Sequence, residues 1–134
     1  MLKQVSFEDL GYVDFAPQAV IRAPVAYFSI KLGYEFQNCV DDLDEYQSAF
    51  FKLEDVLPFG LIHYRGQPDD TTTIYFSRAT HQELVAKVVD QILDDFGLRF
   101  NDVAWLSSGL PKDGLPVRLS RSVGSRKRVN AGSG

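Results

Sequence analysis

The clearest hydrophobic period in this chain lies between residues 81 and 96. Leu84, Val85, Val88, Val89, Ile92, Leu93 and Phe96 fall at i, i+1, i+4, i+5, i+8, i+9 and i+12, which draws one stripe down a helix. Lys87, Asp90, Gln91, Asp94 and Asp95 mostly fill the other face. Thr80 and Glu83 have the spacing of a capping box, and Gly97 stands where a helix ends in a left-handed residue. The pattern predicts one long amphipathic helix over 81–96, about 24 Å from end to end.

Ahead of it the period shortens to two, and β-branched and aromatic residues dominate, as strands prefer. Strands are predicted at 46–53, 58–65 and 71–78. Between the last two lies Gly66-Gln67-Pro68-Asp69-Asp70, dense in turn formers, so these strands read as a hairpin with a five-residue loop. Residues 54–58 join the first two strands in the same way, giving an antiparallel meander. Val103-Ala104-Trp105-Leu106 follows the helix as a short final strand.

The first 45 residues carry a weaker pattern. Residues 13–15 and 19–22 each read as a short strand. Pro24 suits the first turn of a helix running to about Phe36, although 25–32 fits a strand as readily. Asp41-Asp42-Leu43-Asp44-Glu45 is an acidic connector. The expected fold is α+β: an antiparallel sheet of four to five strands with the 81–96 helix packed on one face. With the early helix, the order β-α-β-β-β-α-β comes close to a ferredoxin-like arrangement with an extra strand. Residues 1–110 form one domain on this reading. Pro111, Gly114 and Pro116 break regular structure, and 120–134 holds too few apolar residues to offset the entropy of ordering it, so 111–134 reads as a flexible basic tail.

Charge sharpens that division. Eight Lys/Arg against seventeen Asp/Glu leave residues 1–111 at −9, whereas six against one leave residues 112–134 at +5, which together give the net −4. An acidic body and a basic tail are different objects and call for separate readings. One cysteine, Cys39, rules out an intramolecular disulfide and any zinc site built from several thiolates. A lone thiol, and a first ten residues that carry Glu8 and Asp9 without a long apolar run, point to the cytoplasm. No stretch approaches the roughly 20 apolar residues of a membrane helix. Glycine-rich phosphate loops, G-x-G-x-x-G, G-x-S-x-G and H-E-x-x-H are all absent from the sequence, and no cofactor is expected.

Several residues stand out as candidate sites. His63, Tyr64 and Arg65 end a predicted strand, where alternation sends His63 and Arg65 to one face and Tyr64 to the other. His63 could serve as a general acid or base and Arg65 as an anion clamp; the plainer reading is a solvated strand end. Cys39 with His63 would make a nucleophile and base, but no local signature supports the pair. His63 and His81 with Asp69 or Asp70 meet no metal spacing rule. Asp41, Asp42, Asp44 and Glu45 lack the glycine and the final glutamate of a calcium loop, so they read as a solvated loop or as a patch that docks a basic partner. Asp69 and Asp70 add to the negative field. Arg118, Arg121, Arg126, Lys127 and Arg128 make the tail basic, with no interleaved aromatics to stack bases.

The favoured expectation is a small, non-catalytic, acidic binding protein that acts on a protein partner with a basic surface, of the immunity, antitoxin-type inhibitor or adaptor kind. The alternatives are a small enzyme or ligand-binding domain with a site near His63, Tyr64, Arg65 and Tyr75, and a nucleic-acid-associated protein that uses the basic tail.

Overall fold

The computed structural model describes residues 2–42 and 44–110; the basic tail read at 111–134 lies outside the described residues. Seven strands and one α-helix succeed one another as β1 (Leu2–Val5), β2 (Phe15–Ile21), β3 (Gln37–Val40), β4 (Glu45–Leu53), β5 (Leu57–Tyr64), β6 (Thr72–Ser77), α1 (Gln82–Asp95) and β7 (Val103–Leu106). All pairings are antiparallel, in the order β1-β4-β5-β6-β2-β7. β3 also pairs with β4. It takes residues Glu45 to Ser48 of that strand while β1 takes Phe50 to Leu53, so β1 and β3 share one edge of β4 end to end. The side-chain amide of Gln4 joins them. Its Nε2 donates to the Glu35 carbonyl at 2.6 Å, and its Oε1 accepts the Glu35 N–H at 3.2 Å.

Alternation sends one set of side chains to the face that α1 covers. Ala49, Phe51 and Leu53 of β4, Phe59 and Leu61 of β5, Ile74 and Phe76 of β6, and Ala19 and Ile21 of β2 are all buried there. Helix α1 lays Val85, Val89, Ile92 and Leu93 onto them. Phe96 caps the helix and meets Phe28, Tyr34, Phe51 and Phe59 edge-on, with ring centroids 5.0, 5.8, 5.5 and 6.1 Å away. Gly97, at φ 76°, then reverses the chain: its N–H donates to Asp94 and that of Leu98 to Leu93, the paired bonds of a Schellman ending. The hydroxyl of Tyr27 donates to the Phe96 carbonyl at 2.6 Å, satisfying a group that the helix end leaves open.

The helix and the strands at 46–53, 58–65, 71–78 and 103–106 stand within a residue or so of their expected places, but several details differ. The sheet has seven strands in place of four or five. The helix is short, 14 residues, in place of the long element expected. Its N-cap is His81, with no side-chain cap hydrogen bond, because Thr80 is held in a turn by its N–H bond to the Ser77 carbonyl. The two short strands expected before residue 23 are one strand, β2, whose register slips at Pro17/Ala19 so that Pro17 is accommodated without a ladder bond. The helix expected from Pro24 is a brief wide turn, with π geometry over Tyr27–Lys31, that Gly33 closes at φ 81°. With a single α-helix among the described residues, the β-α-β-β-β-α-β order does not form.

Candidate functional site

The face of the sheet opposite α1 is met by the short 3-10 helix Phe7–Leu10 at the Phe50 end, and it is not a polar face. The register lays it out in rows. Val5, Phe50, Gly60, Tyr75 and Pro17 form one row, and Ser48, Ile62, Thr73, Val20 and Trp105 the next. Phe15 stands beyond the first, and Tyr46 and Tyr64 pair beyond the second. Phe7, from the short turn Phe7–Leu10, sets its ring 5.0 Å from that of Phe50, and Phe15 adds its own at 5.9 Å. Phe7 is 56% exposed and Trp105 45%. Aromatic side chains at this exposure carry much of the anchoring in protein interfaces.

One corner of this face is acidic. The 41–45 connector turns β3 into β4, and Asp41 organises it. Its Oδ1 accepts the Asp44 N–H at 3.0 Å, and its Oδ2 accepts the hydroxyl of Tyr64 at 2.6 Å. The rings of Tyr64 and Tyr46 lie 5.0 Å apart. Arg65 belongs to the same corner. Its backbone N–H donates to the Glu45 carbonyl at 2.9 Å, and its guanidinium reaches Asp44 at 2.9 Å and Glu45 at 3.5 Å. Asp42 is exposed at the tip, and Asp69 and Asp70 are exposed on the adjoining β5–β6 loop.

The three tyrosines feel this field. The hydrogen bond to Asp41 raises the Tyr64 phenol far above its ordinary value, with burial and the Asp41 charge adding to it. Burial raises Tyr75, and the Asp41 charge adds to that. Tyr46 is raised by burial first, then by Cys39 and Asp41. Each shift favours the neutral phenol, and Tyr64 donates its proton to the Asp41 carboxylate. Such a surface suits a cationic group, which could lie over the rings and be met by the carboxylates.

The structure divides the residues singled out in the sequence. Asp41, Asp44, Glu45, Tyr64 and Arg65 come together. His63 does not join them. It lies on the α1 side of β5, with Nδ1 2.9 Å from the Thr71 carbonyl, while Tyr64 and Tyr75 face the other way. A shared pocket near His63, Tyr64, Arg65 and Tyr75 therefore does not form, because strand alternation separates its walls. The expected partnership of His63 with Arg65 on one face also fails: β5 ends at Tyr64, and Arg65 turns to the connector. Cys39 pairs with Tyr46 in register and sets Sγ 3.7 Å from the Ser48 hydroxyl, on the face that His63 avoids. Among the described residues no group of three His, Cys, Asp or Glu side chains is placed to hold a metal ion, and no helix is long and apolar enough to cross a membrane. Arg118, Arg121, Arg126, Lys127 and Arg128 lie outside the described residues.

Phe50, Tyr46 and Trp105 are not among the site residues expected from the sequence, and Tyr75 is expected only beside His63. A signal for them exists: Phe50-Phe51 places aromatics on both faces of one strand, which a sheet with one solvated face does not need. No protein-family model, curated protein or solved structure matches this chain.

Proposed function

We propose that this chain is a non-catalytic, acidic binding protein that acts on a protein partner with a basic surface, as an immunity or antitoxin-type inhibitor or an adaptor does, in the cytoplasm and without a cofactor. The observation that carries this reading is the junction of the acidic corner with the partly exposed aromatic face. Asp41, Asp42, Asp44 and Glu45, with Asp69 and Asp70 beside them, supply a field that draws in a basic surface and raises its association rate. Tyr46, Tyr64, Tyr75 and Trp105 supply rigid apolar area next to those charges. The separation of Cys39 from His63 by the sheet favours this reading over one that makes the pair a nucleophile and its base.

The test is recovery of partners from the native host on the immobilised chain, at low and at high salt. A stoichiometric basic protein that is lost at high salt supports the reading. Replacing Asp42, Asp69 and Asp70 together by lysine should slow its association by about tenfold or more while leaving thermal stability unchanged. Recovery of no stoichiometric protein partner overturns the reading.

A further inference from the structure

We infer that the Tyr46–Tyr64 pair, with the acidic connector beside it, seats an arginine side chain of the partner and prefers its guanidinium to the ammonium of a lysine. The inference rests on the partner-binding reading and names the group by which the basic partner is held.

The chain's own Arg65 shows what the connector accepts. Its guanidinium lies 2.9 Å from Asp44 and 3.5 Å from Glu45, although 67% of its side chain is exposed. A planar fork of N–H donors bridges two carboxylates in this way, whereas an ammonium meets them as a point charge. The Arg65 N–H also donates to the Glu45 carbonyl at 2.9 Å, so this cation is fixed by the backbone beside Asp44 and Glu45. Asp42, exposed at the tip of the same connector, has no cation against it among the described residues. The connector therefore offers a further positive group a carboxylate on the side that Arg65 does not serve.

The rings supply the other half of the seat. Tyr46 and Tyr64 are register partners across β4 and β5, with centroids 5.0 Å apart and planes inclined by 39°. Both are half-buried, so each is packed and still meets solvent. The Tyr64 hydroxyl donates to Asp41 Oδ2 at 2.6 Å, and Asp41 Oδ1 holds the Asp44 N–H at 3.0 Å. Ring and connector are thus one unit, and the Tyr64 ring cannot swing away without breaking a bond to a carboxylate. A ring fixed in this manner is a platform on which a flat cation lies while its N–H groups reach an acid at the margin. Arginine fits both demands. Lysine brings the charge, but it is more strongly hydrated and lacks the flat face.

The probes are tetra-arginine and tetra-lysine, capped at both ends and compared at equal ionic strength. Binding to the full chain is followed by the ring-proton resonances of Tyr46 and Tyr64. Tetra-arginine should shift both sets and bind about threefold or more tighter than tetra-lysine, the margin expected of a cation over an exposed ring. Asp42→Asn, at an exposed site, should weaken both peptides alike. Tyr46→Leu should abolish the preference while leaving tetra-lysine binding nearly unchanged, and Tyr64→Phe, which keeps the ring, should retain it. Equal affinity for the two peptides overturns the inference. So do unmoved tyrosine resonances, or a preference for arginine that survives Tyr46→Leu in a folded chain. Recovery of a basic partner from the host does not depend on these outcomes, and they do not depend on it, so failure of the seat and failure of the partner-binding reading are told apart.

Discussion

The ring of Phe50 lies against the α-carbon of Gly60, its register partner across β4 and β5: a methyl group added at Gly60 would sit 2.8 Å from Cε1 and 3.0 Å from Cδ1 of that ring. A glycine inside a strand normally costs stability, so alanine there would be expected to help. Here the ring is itself held by Phe7 and Phe15 and cannot yield freely. Gly60→Ala should therefore destabilise by about 1–3 kcal/mol in chemical denaturation. Combining it with Phe50→Leu should recover part of the loss. A stabilised Gly60→Ala would show that the aromatic row is loosely held.

Tyr64 makes stability depend on alkaline pH. Its phenol keeps its proton above the ordinary value of 10.0 because the protonated form donates to Asp41. A group whose folded pKa is raised contributes in full below its unfolded value. That contribution fades as pH rises from there toward the folded value. Stability should thus fall above about pH 10, and Tyr64→Phe should flatten the fall. Asp41→Asn should move Tyr64 most, and Tyr75 and Tyr46 less, back toward the ordinary value in the ultraviolet titration. An unchanged alkaline slope in Tyr64→Phe would assign the effect to another group.

Phe96 is the hub at which the helix end meets the sheet, with four rings edge-on around it. Phe96→Ala should cost about 3–5 kcal/mol by denaturant titration. Tyr27→Phe removes only the hydroxyl that donates to the Phe96 carbonyl, and should cost about 1 kcal/mol. A small loss in Phe96→Ala would mean that the cluster closes over the cavity.

The turn from β4 to β5 places Glu54 and Asp55 both in the left-handed region, at φ 56° and 60°, closed by the Val56 N–H to the Leu53 carbonyl. A non-glycine residue there carries a steric penalty that glycine avoids. Asp55→Gly should stabilise by about 0.5–1 kcal/mol after the added chain entropy is deducted, raising the melting temperature. A lowered melting temperature would show that the Asp55 side chain contributes more than its backbone strain removes.

Local rules served where burial and period agree. The α1 stripe and the β4, β5, β6 and β7 strands were legible because each alternates or cycles against one buried face, and Gly97 has a positive φ that fits its terminal place. β1 and β3 were not legible. Each has four residues, and Lys3, Gln37, Asn38 and Val40 are exposed, so no buried period marks them; they are strands because β4 offers them an edge. Segment 24–36 fits no period well, and it folds as a wide turn that inserts Phe28 into the core while leaving Ile30 81% exposed. At the candidate site the acidic run could be read directly. Its union with Tyr64 and Arg65 could not, because strand register, absent from local sequence, places them at the same corner.

The amide of Gln4 bridging to Glu35 bears on how this molecule behaves in a crowd. A long exposed rim of unpaired peptide groups invites a neighbouring chain to extend the sheet, and so on into a fibre. Along this side of β4 the rim is broken into two four-residue lengths whose junction is already filled by a side chain, leaving an incoming strand no continuous track to follow.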